Sequence, residues 1–150
     1  MTDIKSAEKR SENMSAIKRA DTKPELFIRK LLFSAGYRYR VQRKDIPGHP
    51  DIWMKKYNVA IFVNGCFWHR HRGCRLAYQP RSHVDFWNTK FQKNIERDKV
   101  VREQLEQCDI RYLIIWECSI RQAQKKSGNP ELLLRKIEKF LTSEEKSGEI

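Results

Sequence analysis

Three features of this chain predict a single mixed α/β domain: its length of 150 residues, a composition 39% apolar and 33% charged, and a succession of amphipathic and continuously apolar segments. The length suits one hydrophobic core. The composition is that of a globular rather than a disordered chain. No internal repeat or linker divides the sequence.

Residues 1–20 are polar, and Met14 and Ile17 stand three positions apart, on one face if the segment is helical. They read as an arm that orders on a partner. The domain proper is expected over residues 21–141. Asp21-Thr22 opens a helix, with Pro24 in its first turn and Glu25 close behind. Phe27, Leu31 and Ala35, beside Ile28 and Leu32, give its apolar face, and Gly36 ends it. Tyr37, Tyr39 and Val41 alternate with polar residues, the pattern of a half-buried strand. The turn Ile46-Pro47-Gly48-His49-Pro50 leads into a second strand, Asp51–Met54. Asn58–Asn64 is a third, and its unbroken apolar run predicts cover on both faces.

Gly65–Arg81 has no regular period. A long helix is expected from His83 or Asp85 to about Gln107, with Trp87, Phe91, Ile95, Val101 and Leu105 as its stripe. Ile110–Trp116 is another buried strand, and Asn129-Pro130 starts a last helix carrying Leu133, Ile137 and Leu141. Residues 142–150 read as a flexible tail. The order helix, three strands, helix, strand, helix is that of one mixed α/β domain.

Lysine and arginine number 31 against 19 acids, a net charge of +12. That favours a polyanion, nucleic acid ahead of an anionic membrane surface, through counterion release. Apolar runs such as Val59–Val63 are far short of the roughly 20 residues that span a bilayer. Met1–Lys18 has no apolar signal core, so no membrane partner and a cytoplasmic location are expected.

Four cysteines in such a chain favour metal binding over disulfides. Cys66, His71 and Cys74 lie close together in GCFWHRHRGC, a density of thiolate and imidazole that suits tetrahedral zinc. Cys118, just past a buried strand, is the expected fourth ligand, with His69 as its competitor. Four protein ligands leave no open position, so the zinc is expected to be structural. Cys108 has no such partner and reads as a core thiol.

Asp51 opens a strand, where a carboxylate can hold a hard cation together with a phosphate oxygen and waters. A nuclease of the PD-(D/E)xK kind would carry Glu-x-Lys on the next strand, but Phe62-Val63-Asn64 stands there. The Val63 backbone carbonyl can serve the cation instead, and Glu25 can reach a metal-bound water. The missing lysine leaves the general base to His69, whose ring an acid such as Asp98 can orient. The adjacent Phe67 and Trp68, in a cationic loop, are suited to wedging between bases. Trp87 can equally be core or part of that wedge.

The strings Pro47-Gly48-His49-Pro50-Asp51 and Val63-Asn64-Gly65-Cys66-Phe67-Trp68-His69-Arg70-His71 together resemble the very short patch repair (Vsr) mismatch endonuclease family. So do Arg10–Met14, Asp85-Phe86-Trp87, Lys93–Asp98 and Trp116-Glu117-Cys118, and the resemblance runs from about Lys9 to Phe140. It implies a PD-(D/E)xK restriction-endonuclease-like mixed sheet flanked by helices, with a structural zinc site. It implies a strand-specific, Mg²⁺-dependent nick 5′ to the thymine of a T·G mismatch arising from 5-methylcytosine deamination. Asp51 and the Val63 carbonyl would hold Mg²⁺ and His69 would activate water. Glu25 and Asp98 would support the metal-bound water and the histidine. Cys66, His71, Cys74 and Cys118 would bind Zn²⁺. Phe67, Trp68 and Trp87 would enter the base stack from the major groove, and Met14 and Ile17 would approach from the minor groove. The implied partner is double-stranded DNA with a T·G mismatch, engaged by a monomer. Val63 and Asn64 stand where the family pattern has threonine and histidine, and Gly73 is an extra residue before Cys74. Two other readings compete: a restriction-like nuclease with a different target, and a zinc-stabilised DNA-binding module without catalysis.

Overall fold

A computed structural model describes residues 21–150. The arm with Met14 and Ile17 lies outside the described residues. Helix α1 (Lys23–Ser34) starts where the Thr22 hydroxyl accepts the Glu25 amide at 3.4 Å, and Pro24 occupies its first turn. It buries Ile28 and Leu32 completely and turns Phe33 to solvent.

The first strand, β1 (Arg40–Val41), is shorter and more exposed than the alternation from Tyr37 suggested. The reason is hydroxyl chemistry. Tyr37 donates to Glu138 Oε2 at 2.6 Å and Tyr39 to the Arg29 carbonyl at 2.8 Å. These bonds tie the two rings to helices rather than to the sheet.

There follow β2 (Ile52–Met54), a 3-10 turn, β3 (Val59–Asn64), α2 (Val84–Gln107) and β4 (Arg111–Trp116). The chain ends with α3 (Glu117–Gln124), α4 (Pro130–Leu141) and β5 (Ser147–Glu149). The five strands form one sheet in the order β1-β2-β3-β4-β5. The first two pairings are antiparallel and the last two parallel, with Val59 opposite Arg111 and Asn64 opposite Trp116.

The period of two along the strands divides the core. Ile52, Met54, Val59, Ile61, Leu113 and Ile115 face α1, α3 and α4. Ala60, Tyr112, Ile114 and Trp116 face Leu105 and Val101 of α2. A fully buried aliphatic side chain contributes roughly 1.5–3 kcal/mol. Most such side chains lie on the α1–α3–α4 side, so that side carries most of the stability. The α2 side is more sparsely filled and leaves room for a cleft.

Two elements were not foreseen. Helix α3 follows β4 directly, with no turn residue to announce it, and buries Ile120 and Ala123. Strand β5 replaces the expected flexible tail. It pairs with β4 through backbone groups, Ile150 N–H to the Ile114 carbonyl and Trp116 N–H to the Ile150 carbonyl, both at 2.9 Å. Such pairing depends on main-chain atoms, so a polar sequence joins it without an apolar signature. Cys108, expected in the core, is instead exposed at the end of α2. Among the described residues no helix is long and apolar enough to cross a membrane.

Candidate active site and metal centre

The turn before β2 is locked to α2. Gly48 has φ +80°, and a Cβ there would come within 2.5 Å of Val101 Cγ1 and 3.0 Å of the Phe62 ring. Only glycine combines that conformation with that approach. The turn delivers Pro50 into the core and Asp51 to the mouth of β2.

Asp51 Oδ2 accepts the Val63 amide at 2.6 Å, which joins the start of β2 to the second half of β3. Glu25 of α1 is almost fully buried and faces it. Burial first, and then the Glu25 charge, push the Asp51 carboxyl up to about 7 against the opposing pull of the Val63 amide. Glu25 also accepts the Asp21 amide at 2.9 Å and Arg29 Nη2 at 3.2 Å, so its own position is fixed. Two carboxylates held face to face away from water must share a proton or a cation. Oxygen donors of this kind fit a hard divalent cation.

His69 stands at the other part of the site. Its Nδ1 is 2.8 Å from Asp98 Oδ2 on α2. With the carboxylate as acceptor, Nδ1 carries the hydrogen, and in the neutral ring that tautomer leaves the lone pair on Nε2. Both residues line a cleft of about 820 Å³, together with His49, Asn64, Arg97 and Arg102. Asp51 does not line this cleft itself. His49, two positions before Asp51, and Asn64, next to Val63, form part of its wall, so the chain brings the backbone of Asp51 and the His69 imidazole to the same end of the sheet.

The Gly65–Arg81 loop closes on a second centre. Single donor atoms of Cys66, His71, Cys74 and Cys118 lie within 4.8 Å of one another. Cys118 is the fourth member, as it sits in the first turn of α3 and its amide donates to Cys66 Sγ at 3.3 Å. His69 is committed to Asp98 instead. Burial pushes the Cys66 thiol up to about 12, so a thiolate there needs a cation beside it. His71 stacks flat on Trp116, centroids 4.1 Å apart, which holds its ring towards the sulfurs. Three sulfurs and one nitrogen can hold a metal ion with no position left open.

An aromatic cluster gathers around Phe67. Phe67 has ring centroids of Trp68, Tyr78, Trp87 and Phe91 within 5.4 Å, and Trp68 meets Trp87 at 5.8 Å. Trp87 is half-buried in contact with both members of the sequence pair. The sequence reading missed three participants: Asn94, which donates to the Trp68 carbonyl at 3.1 Å, and the exposed rings of Tyr78 and Phe86. The spacing of Asn94 to Asp98, one helical turn, was a usable signal, because it puts both on the face of α2 that meets the loop. Tyr78 lies in irregular chain and carried none.

A family model described as DNA mismatch endonuclease Vsr matches residues 2–75. The DNA mismatch endonuclease Vsr of Escherichia coli (strain K12) is 37% identical over 150 residues, covering 100% of this chain and 94% of that protein. The type II nicking enzyme V.NmeAIP of Neisseria meningitidis (serogroup A) is 42% identical, covering 81% of this chain and 86% of its own length. The type II nicking enzyme V.XorIIP of Xanthomonas oryzae pv. oryzae is 41% identical, covering 80% and 88% respectively.

Proposed function

The chain belongs to the DNA mismatch endonuclease Vsr family, and on that premise we propose that it nicks one strand of duplex DNA 5′ to the thymine of a T·G mismatch, using Mg²⁺. The single observation that carries the chemistry is the His69–Asp98 pair at 2.8 Å, beside the same sheet end as the Asp51–Glu25 carboxylates.

Asp51 and the Val63 carbonyl would hold Mg²⁺, and Glu25 would orient water beside it. Bound Mg²⁺ supplies charge for the pentavalent phosphate and acidifies water. His69 Nε2 takes the proton of the attacking water. Asp98 keeps the ring in the right tautomer and stabilises the imidazolium that results. In this reading the sheet is a PD-(D/E)xK-like core in which an imidazole replaces the lysine.

Cys66, His71, Cys74 and Cys118 are read as a structural Zn²⁺ site that anchors the loop carrying His69. Phe67, Trp68 and Trp87 are read as a wedge that separates bases from the major groove. A mismatched step costs less to unstack than a paired one, which supports a wedge as the source of discrimination. Residues 1–20, with Met14 and Ile17, are proposed as a minor-groove arm on a nuclease domain over residues 21–141, and the enzyme as a monomer on its duplex.

The test is incubation with Mg²⁺ and strand-labelled duplexes. A nick at the phosphate 5′ to thymine in the T·G duplex, absent from its A·T counterpart, is the expected result. Equal cutting of both duplexes rejects the mismatch reading in favour of a restriction-like target. Binding without cleavage, indifferent to Asp51→Ala, rejects catalysis.

A further inference from the structure

Arg70 is held in an unusual way. Its backbone lies in the left-handed region, φ +52°, which a branched or long side chain seldom adopts unless its surroundings enforce it. Its guanidinium donates to three carbonyls: Nη1 to Phe67 at 3.3 Å and to Tyr78 at 3.1 Å, and Nη2 to Ala77 at 3.0 Å. The same group lies over two rings, 3.9 Å from the Phe91 centroid and 5.5 Å from that of Phe67. Among the described residues no carboxylate pairs with it.

We propose that Arg70 is the positioning residue of the aromatic wedge: it fastens Phe67 to α2 through Phe91 and to the returning limb of the metal loop through Ala77 and Tyr78. The proposal rests on the wedge reading given above. A planar fork of donors matches carbonyls in three directions while its face lies on a ring, and a lysine ammonium cannot do both. A wedge held in shape before it meets DNA loses less freedom on insertion.

The experiment uses the full chain with its metal site loaded, carrying Arg70→Met or Arg70→Lys. The duplex has 2-aminopurine beside the T·G pair, which brightens when its neighbours unstack. Metal content and Tm are measured first. Both variants are expected to bind the duplex at near wild-type Kd. The brightening per bound complex should be largely lost, and the single-turnover nicking rate should fall about 100-fold, the loss expected when the scissile strand is no longer distorted into register with the reacting groups. Lysine should recover little of either. A duplex with an abasic gap at the wedge position, already unstacked, should restore nicking to near the wild-type rate. If Arg70→Met loses its metal, Arg70→Lys carries the test alone. Wild-type brightening in the folded variants, loss of metal from both, or a nicking defect that the gapped duplex does not relieve overturns the proposal. If Phe67→Ala brightens the probe as the wild type does, the wedge reading itself fails and takes this inference with it.

Discussion

His69 Nδ1 and Asp98 Oδ2 meet at 2.8 Å across a sequence separation of 29 residues, one on the Gly65–Arg81 loop and the other on α2. Asp98→Asn preserves the shape of that contact but removes the charge that favours an imidazolium. The expected outcome is a nicking rate lower by up to roughly 10⁴-fold, the loss seen when the acid that orients a catalytic histidine becomes an amide. DNA affinity should change little. Single-turnover kinetics with a parallel binding titration measure both, and a wild-type rate in this variant removes His69 from the role of base.

Asp51 sets a pH dependence of stability opposite to that of an ordinary ion-paired acid. Folding raises its carboxyl from 3.8 to about 7, chiefly by burial and then by the Glu25 charge. Between those values the folded chain keeps a proton that the unfolded chain has released, so the folded state loses stability as pH rises through the window. Below the window the stabilisation is fully present, and above it the loss is complete. Without added Mg²⁺, the Tm of the wild type should fall relative to Asp51→Asn as pH is raised from 5 to 8. Mg²⁺ at pH 8 should raise the wild-type Tm and leave the variant unmoved. A difference between the two proteins that stays flat across the window contradicts the buried-pair description.

What the sequence disclosed follows the same physics of burial and charge. Periodicity located α1, α2, α4 and the long strands, because each buries a continuous apolar face whose spacing is written in the chain. The sulfur cluster was legible because thiols and imidazole crowd one short loop, whereas Asp51 and His69 stood out chiefly through the family resemblance, since a lone acid at a strand mouth is also an ordinary turn residue. Strand β5 was not, because its pairing to Ile114 and Trp116 uses main-chain atoms alone. Tyr37 and Tyr39 were misassigned because an alternating pattern cannot reveal that their hydroxyls bind Glu138 and the Arg29 carbonyl. Arg70 drew no reading of its own, since neither its left-handed backbone nor its three carbonyl partners leaves a mark on spacing.

Cys118 distinguishes a closed metal centre from a chance cluster. Its sulfur lies 3.5 Å from His71 Nδ1, and its amide donates to Cys66 Sγ. Cys118→Ser should release the bound metal and destabilise the fold by about 3 kcal/mol or more, because part of the binding free energy of a structural ion is folding free energy. Cys108→Ser is the control, exposed and away from the cluster, and should leave metal content and Tm unchanged. Metal quantification beside thermal denaturation reads both. One equivalent of metal and an unaltered Tm in Cys118→Ser remove that residue from the ligand set.

Gly48 links the stability of the fold to the placement of Asp51. Its φ of +80° is unfavourable for alanine, and the new methyl would meet Val101 Cγ1 at 2.5 Å and the Phe62 ring at 3.0 Å. The left-handed conformation costs about 1 kcal/mol and crowding adds about 1–3 kcal/mol, less whatever Val101 yields by changing rotamer. Relief by movement of the turn would shift Pro50 and, with it, the carboxylate that Val63 holds at 2.6 Å. Gly48→Ala should therefore lower both Tm and the nicking rate. Adding Val101→Ala removes the side chain in the way and should recover more of the rate than of the Tm, since it leaves the backbone strain in place and opens a void against α2. Equal recovery of both, or none of the rate, means that the turn does not position Asp51 through this contact.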